Sequence, residues 1–389
     1  MFSFDITHKK GLMRSGIFET PHRKIETPEF AIVATDAQLR SLSRDAIKDL
    51  PSPYFIVNTY HTYTKKIIPQ IAEKGGVHSF MEIPDRVVAS DSGGFQVFSL
   101  GFGRDSGIGK ILPTASDLKH IHHDDTTNRL EITEEGVEFE FDGQPTVLNP
   151  EISMDLQHQI GADIMMAFDE CTSPLNSYEY IKTSMERTHR WLDRSIAAHR
   201  GFEMKQALFG IVQGGEHQAL REESARVVGS KDVPGFGIGG SFGDFKEALG
   251  TTVQWVNSLL PPEKPRHLLG IGKVRDIFAG VENGVDLFDC VIPTREARHR
   301  MLYTKRGRLY LRKSKHIEEP IDPSCRCPAC HDKVTMKQLR DWFLVYDKRG
   351  VEYMTLHNIQ FYADLTREIR EAIEMGMFDS LKDEYYKYY

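Results

Sequence analysis

Membrane-spanning hydrophobicity is missing from this sequence. No apolar run among its 389 residues approaches the roughly 18 that a bilayer crossing needs. An apolar leader is lacking too, since Met1-Phe2-Ser3-Phe4-Asp5 passes directly to Lys9, Lys10 and Arg14. A cytoplasmic protein with no membrane partner is the expectation. Cysteine is scarce: there are five, and three crowd between Cys325 and Cys330, which excludes a disulfide framework and points to metal in a reducing compartment. Net positive charge is also absent. With 49 Lys and Arg against 56 Asp and Glu the chain carries −7, which excludes indiscriminate coating of nucleic acid but not a local basic face. Two phosphate-binding signatures fail. No Gly-x-Gly-x-x-Gly follows the first apolar run, and the stretch from Gly103 to Lys110 has five residues between Gly103 and Gly109 where a phosphate loop has four, with Ile111 where Ser or Thr would bind magnesium.

What is present is a rhythm. Eight short apolar runs, Phe30–Thr35, Tyr54–Asn58, Val87–Asp91, Ile164–Asp169, Ala207–Gln213, Phe236–Gly240, His267–Gly272 and Leu287–Ile292, alternate for the most part with stretches of helical periodicity. Near-continuous apolar strands between helices describe a parallel sheet covered on its outside. The count predicts an α/β chain folded as a (β/α)8 TIM barrel over 1–300, followed by a zinc-binding subdomain at 301–360 and a C-terminal helix at 361–389 that returns to the barrel. Helices are predicted from an N-cap at Thr35–Gln38 to Leu50, from Ser173 onward and from Gly215 onward. The segment 101–128 lacks a periodic pattern and reads as a loop insertion; its His120, His122, His123, Asp124 and Asp125 read as solvated polar residues rather than a metal site.

The runs end on Asn58, Asp91, Asp169, Gln213, Gly239-Gly240, Gly272 and Asp289. Active sites of such barrels form at the C-terminal ends of the strands, so these residues are candidates for chemistry. Asp289 leads them. Side chains alternate along a strand, so Leu287, Asp289 and Val291 share one face, while Asp286, Phe288 and Cys290 take the other. The two aspartates therefore serve different sites, and Pro293 stops the strand near Asp289. The competing reading is that Asp289 pairs with Arg295 or caps the next turn.

Cys325-x-Cys327-x-x-Cys330 places three thiolates close enough for one tetrahedral ion. A fourth ligand is available from His316, His331 or His357, and His357 is preferred because it follows a helical run, Met336–Tyr346, and can return from a separate element. With no open position the site reads as structural Zn2+. Just before it, Lys305, Arg306, Arg308, Arg312, Lys313 and Lys315 form a basic run without an acid, interleaved with Tyr303 and Tyr310.

The order Asp91-Ser92-Gly93-Gly94-Phe95-Gln96, Phe168-Asp169-Glu170-Cys171, Val212-Gln213-Gly214-Gly215, Gly237-Ile238-Gly239-Gly240 and Phe288 to Arg295, then Cys-x-Cys-x-x-Cys and His357-Asn358, resembles the tRNA-guanine transglycosylases over nearly the whole chain. The resemblance implies exchange of guanine at the wobble position of tRNAs with a Gly-Uracil-Asn anticodon for a 7-deazaguanine, through a covalent ester on Asp289. Asp91 would manage protons. Asp169, Gln213 and the Gly239-Gly240 backbone would read the base edge, with Ser92, Phe95 and Leu269 lining the pocket. Arg295, Lys305, Arg306 and Arg308 would hold the RNA, and the family forms homodimers.

Breaking a glycosidic bond does require a carboxylate facing the sugar carbon and a second group to move a proton. Departures concern the incoming base. Gly239-Gly240-Ser241-Phe242-Gly243-Asp244 replaces the family's Gly-Gly-Leu-Ala-Val-Gly-Glu, and Leu269 stands in place of a methionine, so 7-aminomethyl-7-deazaguanine is expected first and queuine second. A glycoside hydrolase would not explain the cysteine knuckle. A DNA-directed 7-deazapurine transferase and a non-catalytic tRNA-binding partner subunit are the remaining alternatives.

Overall fold

The computed structural model describes residues 2–98, 130–240, 248–313 and 318–389. The 101–128 insertion with its histidines, the Ser241–Asp244 departure, and Lys315 and His316 lie outside the described residues. Eight strands, β1 (Glu29–Ala34), β2 (Tyr54–Val57), β3 (Val87–Ser90), β4 (Ile164–Met166), β5 (Ala207–Val212), β6 (Gly235–Ile238), β7 (Arg266–Leu268) and β8 (Leu287–Cys290), close a barrel in chain order. Every neighbouring pair is parallel, with β8 meeting β1 and β3 meeting β4. All eight predicted runs thus become strands, and the barrel is the predicted (β/α)8 type.

Three predicted helix starts move. The first helix is only Arg44–Lys48, capped by Ser43 Oγ, because Ala37 takes a left-handed turn (φ 52°) that no helix can begin through. The helix after Ser173 starts at Tyr178, where Ser177 Oγ accepts from Tyr180 N at 3.2 Å. The third starts at Gln218, since Gly214 and Gly215 both have positive φ (136° and 58°). Strand β8 ends at Cys290, and Pro293 sits in the first turn of the helix Ile292–Arg298, where its missing N–H costs nothing.

A three-stranded antiparallel sheet of Ser3–Lys10, Met13–Glu19 and Lys24–Thr27 lies across the N-terminal end of the barrel. Phe18 packs on Phe209 at the start of β5, and His22 Nδ1 meets Asp163, just before β4, at 2.7 Å. Arg14 is the strongest tie. Its Nε and Nη2 reach the carboxylate of Asp286 at 2.8 and 2.5 Å, and further N–H groups donate to the carbonyls of Pro262 and Lys264. Both side chains are fully buried. As the period-two reading requires, the two aspartates serve different sites: Asp286 is spent on Arg14, while Asp289 meets His267.

After the barrel come the hairpin Met301–Thr304 with Gly307–Tyr310, short helices Pro328–His331 and Met336–Leu344, and the long helix Lys348–Glu374. These build a second buried cluster around Leu302, Leu311, Ile321, Leu339 and Met354. Farther along the same helix, Ile359, Tyr362, Leu365 and Ile369 join the barrel's core. Among the described residues no helix is long and apolar enough to cross a membrane.

Removing one partner of a buried ion pair strands the other. Arg14→Ala is therefore expected to destabilise the fold by about 3 kcal/mol or more, measured by denaturant unfolding; a loss below about 1 kcal/mol would mean that the N-terminal sheet closes the barrel without this pair.

Candidate active site

The open end of the barrel collects the residues that finish the strands. Parallel register sets His267 of β7 beside Leu287 of β8, so His267 points inward one step below Asp289. His267 Nε2 lies 3.0 Å from Asp289 Oδ1, and the Gly270 amide donates to the same oxygen at 3.1 Å. Behind the ring, Tyr54 of β2 reaches His267 Nδ1 at 3.1 Å across the barrel interior. Asp289 has neither of the partners the competing reading gave it, because Arg295 turns to Glu296 at 3.5 Å.

Asp91 follows β3 and is held by four donors. Asn58 Nδ2 and the Gln96 amide (3.2 Å) reach Oδ2, while the backbone amides of Thr59 (2.9 Å) and Gly93 (3.1 Å) reach Oδ1. Burial is the larger effect. It pushes the Asp91 carboxyl up to about 7 against the pull of the Thr59 and Gly93 amides, and the negative charge of Asp289 adds to the rise. Two carboxylates at one mouth thus sense each other and are held differently.

Beside them, Asp169 accepts from Gln213 Nε2 at 2.7 Å and from Ser92 Oγ at 3.3 Å, and burial raises it to about 6. Among the described residues Gln213 Oε1 is buried with no hydrogen-bond partner. Such an acceptor is costly unless something fills it, so the pocket offers a polar edge rather than an inert wall. Gly239 and Gly240 press against Gln213 so closely that a Cβ at either would lie within 3 Å of its amide; Gly240 also has φ 91°. Arg221, fully buried, braces this turn by donating to the carbonyls of Val212, Gly215 and Gly239. Leu269 approaches the Gly237 position, and Phe95 is 46% exposed at the rim.

A polar cavity of about 180 Å³ adjoins the mouth between β1 and the helix Ile292–Arg298. Gln38, Arg40, His61, Thr294 and Arg298 are among its walls. Burial, then the charges of Arg40 and Arg295, hold the Arg298 guanidinium below its ordinary value. Among the described residues neither Arg40 nor Arg298 has an acidic partner within an ion-pair distance. Crowded guanidiniums without counter-charge make an anion seat. Arg306 and Arg308 stand exposed on the 301–310 hairpin, whereas Lys305 is drawn to Glu368 at 2.6 Å.

Cys325, Cys327, Cys330 and His357 bring four ligand atoms within 4.8 Å of one another, an arrangement that could hold a metal ion. His357 Nε2 donates to the Tyr303 carbonyl at 2.8 Å, which leaves Nδ1 facing the sulfurs of Cys327 (3.4 Å) and Cys330 (3.5 Å). His331, the rejected alternative, is exposed and turns to Asp332.

Comparison with known proteins decides the family. The model of the family described as queuine tRNA-ribosyltransferase matches residues 9–389. The chain belongs to the queuine tRNA-ribosyltransferase family. It is similar to the queuine tRNA-ribosyltransferase of Herpetosiphon aurantiacus, with 40% identity over 389 residues, 99% of this chain and 92% of the relative. It is likewise similar to that of Thermoanaerobacter pseudethanolicus, with 39% identity over 381 residues, 97% of this chain and 94% of the relative. The chain is therefore a pentosyltransferase.

In this member of the queuine tRNA-ribosyltransferase family, several site residues escaped sequence reasoning. Thr59 and Gly270 contribute backbone amides, which no residue type announces. His267 and Tyr54 open their apolar runs and looked like strand residues; a polar side chain at the same period as Leu269 was the available signal. Arg40 and Arg298 are far apart in sequence, and only the fold makes them one cluster.

Asp169 tests the electrostatics. Its folded pKa stands near 6 against an ordinary 3.8, so the stability this group contributes is fully present below pH 4 and is lost as pH rises through 6, where a buried group must ionise. Asp169→Asn should remove that slope, gaining about 3 kcal/mol at pH 8 and almost nothing at pH 4. Melting curves at the two pH values would refute this if the variant gained equally at both.

Proposed function

We propose that this protein exchanges guanine at the wobble position of tRNA for a 7-deazaguanine, through a covalent ester between Asp289 and the ribose. The observation that carries the reading is the pair of differently held carboxylates at one mouth: Asp289 fixed at one oxygen by His267 and Gly270, Asp91 pushed by burial toward neutral pH. Glycosidic bond breakage passes through an oxocarbenium-like state that a facing carboxylate stabilises and then captures. A group titrating near 7 is suited to move the accompanying proton.

In the first half-reaction Asp289 attacks C1′, the C1′–N9 bond breaks with its electron pair going to guanine, and Asp91 as the acid gives the departing base its proton. In the second, Asp91 takes the N9 proton of the incoming base. The freed pair bonds to C1′, the ester C–O bond breaks, and Asp289 returns as a carboxylate. Bonds broken and formed are of the same kind, so no cofactor is needed for balance.

Base selection follows from the pocket. A guanine edge presents N–H donors and a carbonyl, matched by the Asp169 carboxylate, the Gln213 amide and the Gly240 N–H, with Phe95 and Leu269 against the ring and Ser92 bracing Asp169. The target nucleotide must leave its stack to reach them. Arg40, Arg295 and Arg298 would then seat phosphates of the anticodon loop, and Arg306 and Arg308 would extend that track. Lys305, tied to Glu368, is assigned a lesser part. The printed names of the relatives supply the choice of tRNA over DNA.

The test is incorporation of labelled guanine into unmodified tRNA with a Gly-Uracil-Asn anticodon, by the protein and by Asp289→Ala. Exchange by the first and none by the second is expected, with competition by 7-aminomethyl-7-deazaguanine and queuine ranking the incoming bases. Exchange into duplex DNA but not tRNA would overturn the reading, as would full activity of Asp289→Ala.

Three thiolates and an imidazole form a closed, soft tetrahedral set, and the second is oriented by Tyr303; we assign them to structural zinc. Cys327→Ser should lose one equivalent of bound zinc and melt the 301–360 region before the barrel, read by metal analysis and hydrogen exchange. Full zinc content in that variant would remove Cys327 from the ligand set.

A further inference from the structure

We propose that His267 is a positioning residue whose Nε2–H, with the ring steadied by Tyr54, pins Oδ1 of Asp289 so that Oδ2 is the attacking oxygen. The proposal rests on the transglycosylase reading above and goes beyond it by dividing the nucleophile's two oxygens between different tasks.

The geometry is one-sided. Both donors to Asp289, His267 Nε2 at 3.0 Å and the Gly270 amide at 3.1 Å, meet Oδ1. Among the described residues Oδ2 takes no hydrogen bond, and the carboxylate is 14% exposed where His267 is wholly buried. A carboxylate held at one oxygen keeps its free lone pairs in a fixed direction, which is the orientation an in-line attack needs.

Tyr54 steadies the ring. Its hydroxyl lies 3.1 Å from His267 Nδ1 and it is fully buried. An ionised carboxylate only accepts, so His267 Nε2 carries the hydrogen toward Asp289. The titratable groups in hydrogen-bond contact with the imidazole among the described residues are Tyr54 from β2 and Asp289 from β8.

The same contact serves both states of the nucleophile. When Oδ2 bonds to C1′, Asp289 loses its charge and Oδ1 becomes the ester carbonyl oxygen. The Nε2–H can donate to that oxygen before and after the step.

Three variants test this, with binding of tRNA and thermal melting as checks on the fold. His267→Ala is expected to lower kcat, and the single-turnover rate of RNA–protein adduct formation on a denaturing gel, about 100-fold, with KM for tRNA and base within about threefold. His267→Gln, another N–H donor, is expected to recover to within about tenfold of the parent. Tyr54→Phe should lose less than His267→Ala. An unchanged adduct rate in His267→Ala overturns the proposal while leaving the transglycosylase intact. A His267→Gln variant no faster than His267→Ala would overturn N–H donation as the role. If the unaltered protein forms no adduct at all, the function reading itself fails.

Discussion

A carboxylate taken out of water must be paired, or richly hydrogen-bonded, or allowed to become neutral, and this barrel depends on meeting that constraint differently at its two ends. At the closed end Asp286 is met by the Arg14 guanidinium, and the backbone N–H of Arg266 donates to it as well at 2.8 Å. Asp163 there accepts from His22, His78 and the Val88 amide, contacts that outweigh its burial and hold it down to about 2. Those charges are satisfied and silent. At the open end Asp91 and Asp169 receive, among the described residues, only neutral donors, burial prevails, and both rise toward neutral pH. The same residue type is therefore structural on one rim and available for proton chemistry on the other. The N-terminal sheet makes the asymmetry possible, because it supplies Arg14 and His22 to one rim alone.

Much of this was legible from spacing. Strand alternation separated Asp286 from Asp289 before any coordinates, and the polar endings of the apolar runs located the rim. Element starts were less legible, because Ala37, Gly214 and Gly215 take left-handed turns that composition does not announce in advance. The three-stranded sheet before the barrel passed unnoticed for a different reason. It is a lid whose outer face is exposed, so its strands lack the continuous apolar character that marked the barrel. The site's supporting cast was the least legible of all. Donors to Asp91 come from Asn58 and Thr59 just after β2 and from the turn after β3, some of them backbone amides, and only closure of the sheet assembles them.

The His267 contact also depends on closure. Tyr54 and His267 belong to strands separated by β8 and β1, and they meet only because the interior is narrow enough for two ring side chains to span it. Their burial gives the pair precision: neither can trade its partner for water, so each hydrogen bond restricts the next.

The metal-capable knuckle is tied to the same geometry through one helix. On Lys348–Glu374, His357 faces the cysteines, and the next residue, Asn358, donates to the carbonyls of Pro293 and Met301 at 3.0 Å each and accepts from Tyr303 N at 3.1 Å. Pro293 opens the helix that follows Asp289. One turn later Tyr362 donates to the Gly272 carbonyl at 2.6 Å, in the loop that supplies the Gly270 amide to Asp289. An ion gathering His357 with the three thiolates would therefore set the height of this helix against the barrel mouth, and with it both the segment after Asp289 and the loop that holds its Oδ1. Rigid helical backbone carries that constraint because residues 357, 358 and 362 present adjoining positions on its buried side. The knuckle is thus tied, through one helix, to the frame within which Asp289 Oδ1 is held.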